Sequence, residues 1–340
     1  MKILVIGPSW VGDMVMSQSL YITLKKQHPN AIIDVMAPAW CKPILKRMPE
    51  INQAIDMPFA HGQFSLWERI KLGLSLKVSK YQQAYILPNS AKSAIVPFFA
   101  KIPQRTGWKG EMRYGLLNDL RENKKSFKYM IERYVALAYP KKTMLNSKSL
   151  GGLSHQPKPA LSVDKKIQDL TRQKYELTNK RNVIGLCPGA EFGPAKRWPD
   201  VHYAKIAEEM VQRGHQVWIF GSAKDQETTD KIYQQLSTVA QQHTHRLSGK
   251  TSLIEAVDLL AACETVVSND SGLMHIAAAV GCKVVAIYGS TSPEYTPPLT
   301  NRVSILHTNI ECRPCFKKEC QFGHLKCLTE LSVEQVLKVI

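Results

Sequence analysis

The chain has 340 residues, 44% of them hydrophobic and 21% charged, ordinary values for a globular protein and enough length for two domains of about 150–170 residues each. No apolar run approaches the roughly 18 residues of a membrane span, and "MKILVIGPSWVGD" breaks its short apolar stretch with Gly, Pro and an acid. Neither a span nor a signal peptide is therefore predicted, and a cytoplasmic protein is expected.

The net charge of +17 is uneven: residues 1–150 hold 23 Lys and Arg against 9 Asp and Glu, and residues 151–340 hold 22 against 19. A basic first half suits nucleic acid, an anionic membrane or a polyanionic substrate, and charge alone does not choose among them.

In chain order, "KILVIG" (2–7) reads as a buried strand and 13–28 carries apolar residues at helical spacing. Strand 31–38 follows, then short helices near 40–47 and 65–79. Segments 83–88, 90–100 and 103–108 continue the alternation, and a helix near 126–139 closes it. Residues 141–159 lack periodicity, are rich in Lys, Ser, Gly and Pro, and read as an interdomain linker. The second half repeats the theme: strand 182–189, helix 200–213, strand 215–222, helices 224–236 and 252–262, strand 264–270, helix 272–281, strand 283–289. This alternation predicts an α/β protein with two doubly wound, Rossmann-like domains facing across a cleft. The domains are placed at 1–150 and 160–330, with a terminal helix over 331–340 packing back.

Open α/β sheets bind ligands beyond the carboxyl ends of their strands, and the notable motifs lie there. "GPSWVGDM" nearly spells a phosphate-binding loop, but Asp13 and Met14 stand where such a loop has Lys and Ser or Thr. An acid there repels phosphate. "CPGAEFGPAKRWP" (187–199) turns twice on Gly and Pro and sets Lys196 before a helix, where an ammonium can follow a departing diphosphate. "SNDSGLMHIAAAVG" (268–281) ends a strand and opens a helix. The backbone N–H groups of Ser271 and Gly272 and the helix dipole make an anion site, with His275 one turn further and Asp270 able to accept from sugar hydroxyls. Ser290 and Thr291 of "YGSTSP" add hydroxyls. The plainer alternatives are a surface Lys196, a simple cap at Asp13, Asp270 or Ser271, and a buried structural His275.

Together "GPSWVGDMVMS", "RTGWKGEMRYGLLND" (105–119), "SNDSGLMHIAAAVG" and "YGSTSP" resemble the ADP-heptose:lipopolysaccharide heptosyltransferases, glycosyltransferase family 9, over nearly the whole chain. The members that add the second inner-core heptose are the nearer likeness. The resemblance implies a GT-B fold with the acceptor in the first domain and the nucleotide sugar in the second. It implies an inverting transfer of L-glycero-D-manno-heptose to the first heptose of the inner core carried on Kdo–lipid A. Asp13 then matches the family's base, and Lys196 the lysine on the diphosphate. Asp270, Ser271, Gly272 and His275 match the segment around phosphates and heptose, and Thr251 the adenine pocket. Gly189, Ala190, Ser290 and Thr291 complete the expected ADP-heptose site. A Glu that can hold the ribose in the family is replaced here by "SAKD" after "VWIFG".

Under this reading Gly7 and Gly12 let the first loop turn tightly against the acceptor. Asp13, near the positive end of a helix, takes the acceptor hydroxyl's proton late in the displacement. Ser9, Gly12, Arg105, Lys109 and Arg113 are the acceptor candidates. Residues 69–133 hold 14 Lys and Arg against 4 Asp and Glu, which suits a phosphorylated, membrane-borne acceptor met at the inner face of the inner membrane. A monomer without cofactor is expected, and the sequence has no Asp-x-Asp metal motif. Cys312, Cys315, Cys320 and Cys327 have partly metal-like spacing but read first as a reduced structural cluster. A nucleic-acid-binding module lacks its sequence motifs, and a dehydrogenase lacks Gly-x-Gly-x-x-Gly. A family 9 transferase with another acceptor is the remaining alternative.

Overall fold

Runs such as "KILVI" and "KVVAI" are apolar without alternation because helices cover both faces of their strands, the arrangement of a parallel sheet. The computed structural model describes residues 1–59 and 62–340 and divides into two units, Met1–Pro159 and Ala160–Ile340. The first unit runs β1 (Lys2–Ile6), α1 (Val11–Gln27), β2 (Ile32–Ala37), α2 (Lys42–Leu45), β3 (Ile51–Asp56) and α3 (Leu66–Leu76). It continues with β4 (Gln83–Ile86), α4 (Ile95–Phe99), β5 (Gln104–Trp108), β6 (Asp119–Arg121) and α5 (Met130–Val135). The second begins with α6 (Lys165–Lys174), β7 (Val183–Cys187), α7 (Asp200–Gln212), β8 (Gln216–Ile219), α8 (Gln226–Gln234), α9 (Thr238–Gln242) and β9 (Thr244–Arg246). It ends with α10 (Leu253–Leu260), β10 (Thr265–Asn269), α11 (Gly272–Ala279), β11 (Lys283–Ile287), β12 (Val303–Leu306), α12 (Lys326–Thr329) and α13 (Val333–Leu337).

Each unit is built on a six-stranded sheet, ordered β3-β2-β1-β4-β5-β6 and β12-β11-β10-β7-β8-β9, with parallel pairing throughout. Read from the first strand of each unit, both follow the order 3-2-1-4-5-6. The predicted doubly wound α/β class is borne out. Strand order reverses beside β1/β4 and beside β7/β10, the two positions where such sheets open a crevice for ligands.

In the first unit α3 packs with α4, and α1 with α5. Helix α1 is buried nearly all round from Met14 to Tyr21, and the Ser17 hydroxyl is satisfied within the helix, donating to Met14 O at 2.7 Å. In the second unit Trp198, Tyr203, Ile219 and Val285 share a core with Leu328 and with Val333 and Val336 of α13.

Residues 141–159 are not a free linker. Asn123 Nδ2 donates to Leu145 O at 2.8 Å, Ser147 Oγ donates to Glu132 Oε2 at 2.5 Å, and Ser19 Oγ donates to Pro157 O at 2.6 Å. These bonds tie the segment to the first unit, which runs to Pro159. Low periodicity here reflects a chain of short 3₁₀ turns (Ser147–Leu150 and Leu153–His155) held by hydrogen bonds instead of by an α-helix or sheet.

Candidate active site

In the second unit every predicted site residue lies on the carboxyl edge of the sheet or at the start of a helix leaving it. Lys196 follows β7 and reaches Asp270, just after β10, with Nζ 2.6 Å from Oδ2. Their side chains are only 13% and 5% exposed, so the pair is substantially desolvated and each charge depends on the other. Thr291 Oγ1 donates to the same Oδ2 at 2.6 Å, and Lys196 Nζ lies 4.9 Å from the Phe192 ring centroid. Asp270 is thus the counter-ion of Lys196 and a hydrogen-bond acceptor for Thr291. Both contacts use Oδ2 of the carboxylate.

Ser271 is the N-cap of α11, but its side chain makes no cap hydrogen bond and instead meets Ser268 Oγ at 3.3 Å. The helix start lies beside the Lys196–Asp270 pair, which gives an ammonium and backbone donors one location. His275 is buried one turn into α11. Burial holds its pKa down at about 4, with Asp270 opposing and Lys196 adding to the effect, so the ring is neutral near pH 7. Ser290 Oγ is also buried and has no hydrogen-bond partner.

The loops are stitched together. Ser290 N donates to Ala195 O at 3.0 Å, and a Cβ on Gly289 would lie 2.5 Å from that carbonyl. Gly189 packs equally tightly on Asp225, whose carboxylate a Cβ there would meet at 2.5 Å, and Ala190 is buried. Asp225 accepts from Ser222 N at 2.8 Å, and Thr251 sits on the loop after β9. Pro199 is the N-cap of α7.

Three contributors escaped the sequence reading. Arg313, in the cysteine-rich segment, donates to Gly289 O at 2.8 Å and to Thr291 O at 3.0 Å, while Phe316 N donates to Ser290 O at 2.8 Å. Ala195 N donates to Lys318 O at 3.0 Å. Residues 313–318 therefore brace the Lys196 and Ser290 loops, and no local motif announces that. Cys312, Cys315, Cys320 and Cys327 border one cavity with Ala195, Ser290 and Arg313, and all four are free thiols. Among the described residues no group of three or more His, Cys, Asp or Glu is arranged to hold a metal.

In the first unit Asp13 is the third residue of α1, after the N-cap Trp10, so it is not the cap itself. Tyr134 of α5 donates from Oη to Asp13 Oδ1 at 3.3 Å. Ser9 O accepts from Trp40 Nε1 at 2.8 Å, which fixes the loop. Gly7 and Gly12 lack positive φ. A Cβ on Gly7 would meet Met14 Cε at 2.9 Å, Val35 Cγ1 at 3.2 Å and Met36 O at 3.3 Å, so the loop packs closely there without a left-handed turn.

The acceptor candidates separate. Lys109 is exposed and pairs with Glu122 at 3.1 Å. Arg105 is half-buried and donates to Leu116 O at 2.7 Å and to Ile102 O at 2.6 Å. Arg113 is 1% exposed, and its guanidinium donates to Trp108 O and, at 2.7 Å, to Pro88 O. Arg113 is a framework residue, a correction to its expected place at the acceptor. Nothing in "RTGWKGEMRY" distinguishes a guanidinium turned inward from one turned out.

Residues 69–326 match the model of glycosyltransferase family 9 (heptosyltransferase). Lipopolysaccharide heptosyltransferase 2 of Escherichia coli (strain K12) is 51% identical, the alignment covering 99% of this chain and 97% of that protein. Lipooligosaccharide heptosyltransferase 2 of Haemophilus influenzae is 52% identical over 99% and 98%. The solved structure of E. coli ADP-heptose LPS heptosyltransferase II superposes with a TM-score of 0.89 at 49% identity, covering 100% of this chain and 97% of that one. With both sheets, their strand order and full-length likeness in agreement, this chain belongs to glycosyltransferase family 9 and has its GT-B fold.

Proposed function

We propose that this chain transfers heptose from ADP-heptose to the first heptose of the lipopolysaccharide inner core, with inversion at the anomeric carbon. Full-length identity of about half to heptosyltransferases 2 supports the activity, and the Lys196–Asp270 pair beside the start of α11 is the observation that carries the donor site. The diphosphate is a dianion when bound. Lys196, the Ser271 and Gly272 amides and the Ser290 hydroxyl offer it donors that need little rearrangement, which favours the charge that grows on departing ADP. Asp270 and Thr291 position Lys196. His275, being neutral, contributes shape and a ring N–H and not charge. Gly189, Ala190 and Thr251 line the nucleotide side, where the tight Gly189–Asp225 contact shapes the loop.

In the first unit Asp13 receives the proton of the attacking hydroxyl. Its weak basicity makes that transfer late, once the oxygen is bonding to carbon and has become acidic. Tyr134 orients it. Ser9, Gly12, Lys109 and Arg105 stand for the acceptor contacts, without Arg113. The reaction breaks the bond from heptose C1 to the diphosphate oxygen, forms one from C1 to the acceptor oxygen, and leaves ADP with the electron pair. No helix among the described residues is long and apolar enough to cross a membrane, so the lipid-borne acceptor is met at the surface, by a monomer in this reading.

Incubation with ADP-heptose and monoheptosyl Kdo2–lipid A tests the proposal. Acceptor-dependent ADP release and a single inverted linkage by NMR are expected. Release that survives Asp13→Ala at near wild-type rate overturns the base assignment, and no transfer to this acceptor overturns the reading.

A further inference from the structure

Helix α3 has two apolar faces, and only one of them is used. At about 100° per residue, Arg69, Leu72, Gly73 and Leu76 share the inner side, where a Cβ on Gly73 would lie 2.7 Å from Val96 O and 2.8 Å from Phe99 Cβ. Trp67, Lys71 and Leu74 fall within about 60° of one another on the opposite side, and the 3₁₀ turn 77–79 continues the line to Val78. Trp67 is 71% exposed, Leu74 51% and Val78 82%. A solvated helix face normally carries polar residues at these positions.

The charges around the stripe are one-sided. Between residues 64 and 101 stand six Lys and Arg and one acid, Glu68. Lys71, Lys77, Lys80 and Lys101 are exposed. Large apolar and aromatic side chains spaced among lysines are the composition of a helix lying in the headgroup region, where Trp sits at the interface and lysines meet anionic lipid. A protein partner with this complementarity would need an acidic apolar groove, whereas an anionic bilayer presents both properties everywhere on its surface. The location also fits. Helix α3 starts at the carboxyl edge of the first sheet, the edge from which α1 and Asp13 leave, and Lys92 Nζ ties the two sides of that edge by donating to Gln63 O at 3.0 Å.

We propose that the outer face of α3, built on Trp67, Leu74 and Val78 with Lys71 and Lys77, docks the enzyme on an anionic lipid surface without insertion of a span. This rests on the reading of a lipid-borne acceptor and adds the surface that meets the lipid.

Full-length protein is sedimented with sucrose-loaded vesicles of phosphatidylcholine containing 30% phosphatidylglycerol, and with pure phosphatidylcholine, in about 150 mM salt. The proposal expects binding to the anionic vesicles at least tenfold tighter than to neutral ones, and a loss of at least tenfold in Leu74→Glu/Val78→Glu. Brominated lipid should quench wild-type fluorescence more than that of Trp67→Phe. The double variant should keep its Tm and its turnover of ADP-heptose with a deacylated, water-soluble acceptor. Equal binding by wild type and variant, or no vesicle binding by either, overturns the proposal. So does a lipid-free dimer that the double variant converts to monomer, which would assign the face to a second copy. Vesicle binding without ADP-heptose turnover would instead sink the functional reading and leave the docking face standing.

Discussion

Lys196 and Asp270 form one contact that bears on stability and, in the proposed donor site, on chemistry. An ion pair at 2.6 Å with both side chains mostly buried is costly to break from one side, because the survivor stays desolvated. Lys196→Ala should therefore lower unfolding free energy by about 3 kcal/mol in urea titrations and remove most of the stabilisation given by added ADP. Losing a preorganised donor should cost about 10²–10³ in kcat/KM. His275 supplies a pH signature. Its folded pKa of about 4 lies below the unfolded value of about 6.5, so the unfolded chain binds the extra proton between them. Stability should fall as pH drops from 6.5 toward 4, by about 1.4 kcal/mol per unit from this group, and His275→Leu should flatten that slope. For Asp13, the Asn variant should lose about 10²–10⁴ in kcat while the ADP-heptose KM changes less than about twofold.

Among the elements, the strands found from the sequence are β1, β2, β4, β5, β7, β8, β10 and β11. The ones not found are β3, β6, β9 and β12, the two edges of each sheet. Interior strands are covered on both faces and read as apolar runs, but "INQAID", "DLR" and "THR" are short, half-exposed or polar and carry no such signal. Sheet order alone reveals them. Loops follow the same logic: the second unit's site depends on strand-end loops packed backbone to backbone. Gly289→Ala should cost about 1–3 kcal/mol by thermal or urea unfolding, because neither Ala195 O nor Leu328 can yield much. It should also raise the KM for ADP-heptose more than that for the acceptor.

Over the whole molecule, charge divides as the chemistry is proposed to divide. The first 150 residues carry an excess of 14 positive charges and the rest an excess of 3. Exposed charges act over a Debye length of about 10 Å at 0.1 M salt, so encounter with a phosphorylated acceptor should be salt-sensitive. Raising salt from 50 to 300 mM should increase the acceptor KM several-fold and the ADP-heptose KM less, since the proposed donor site uses a mostly buried ammonium and backbone amides. Steady-state kinetics with each substrate varied in turn checks this. The two units share one strand order, so the distinction between them arises from what their strand-end loops carry: an acid after β1, a lysine after β7.

By itself the sequence determined the α/β class, the two-unit plan, the family and the strand-end motifs, because each is written locally: buried runs, glycine turns, a charge at a fixed offset from a strand. Tertiary structure alone decided which charges remain for a ligand. Arg113 turns inward to carbonyls, Asp270 is claimed by Lys196 and Thr291, and Arg313 arrives from a segment over a hundred residues beyond Lys196 to brace its loop. Periodicity records burial of apolar surface along the chain. Hydrogen bonds and ion pairs among distant polar groups leave no such record, since their partners are chosen only when the sheet edges bring them together.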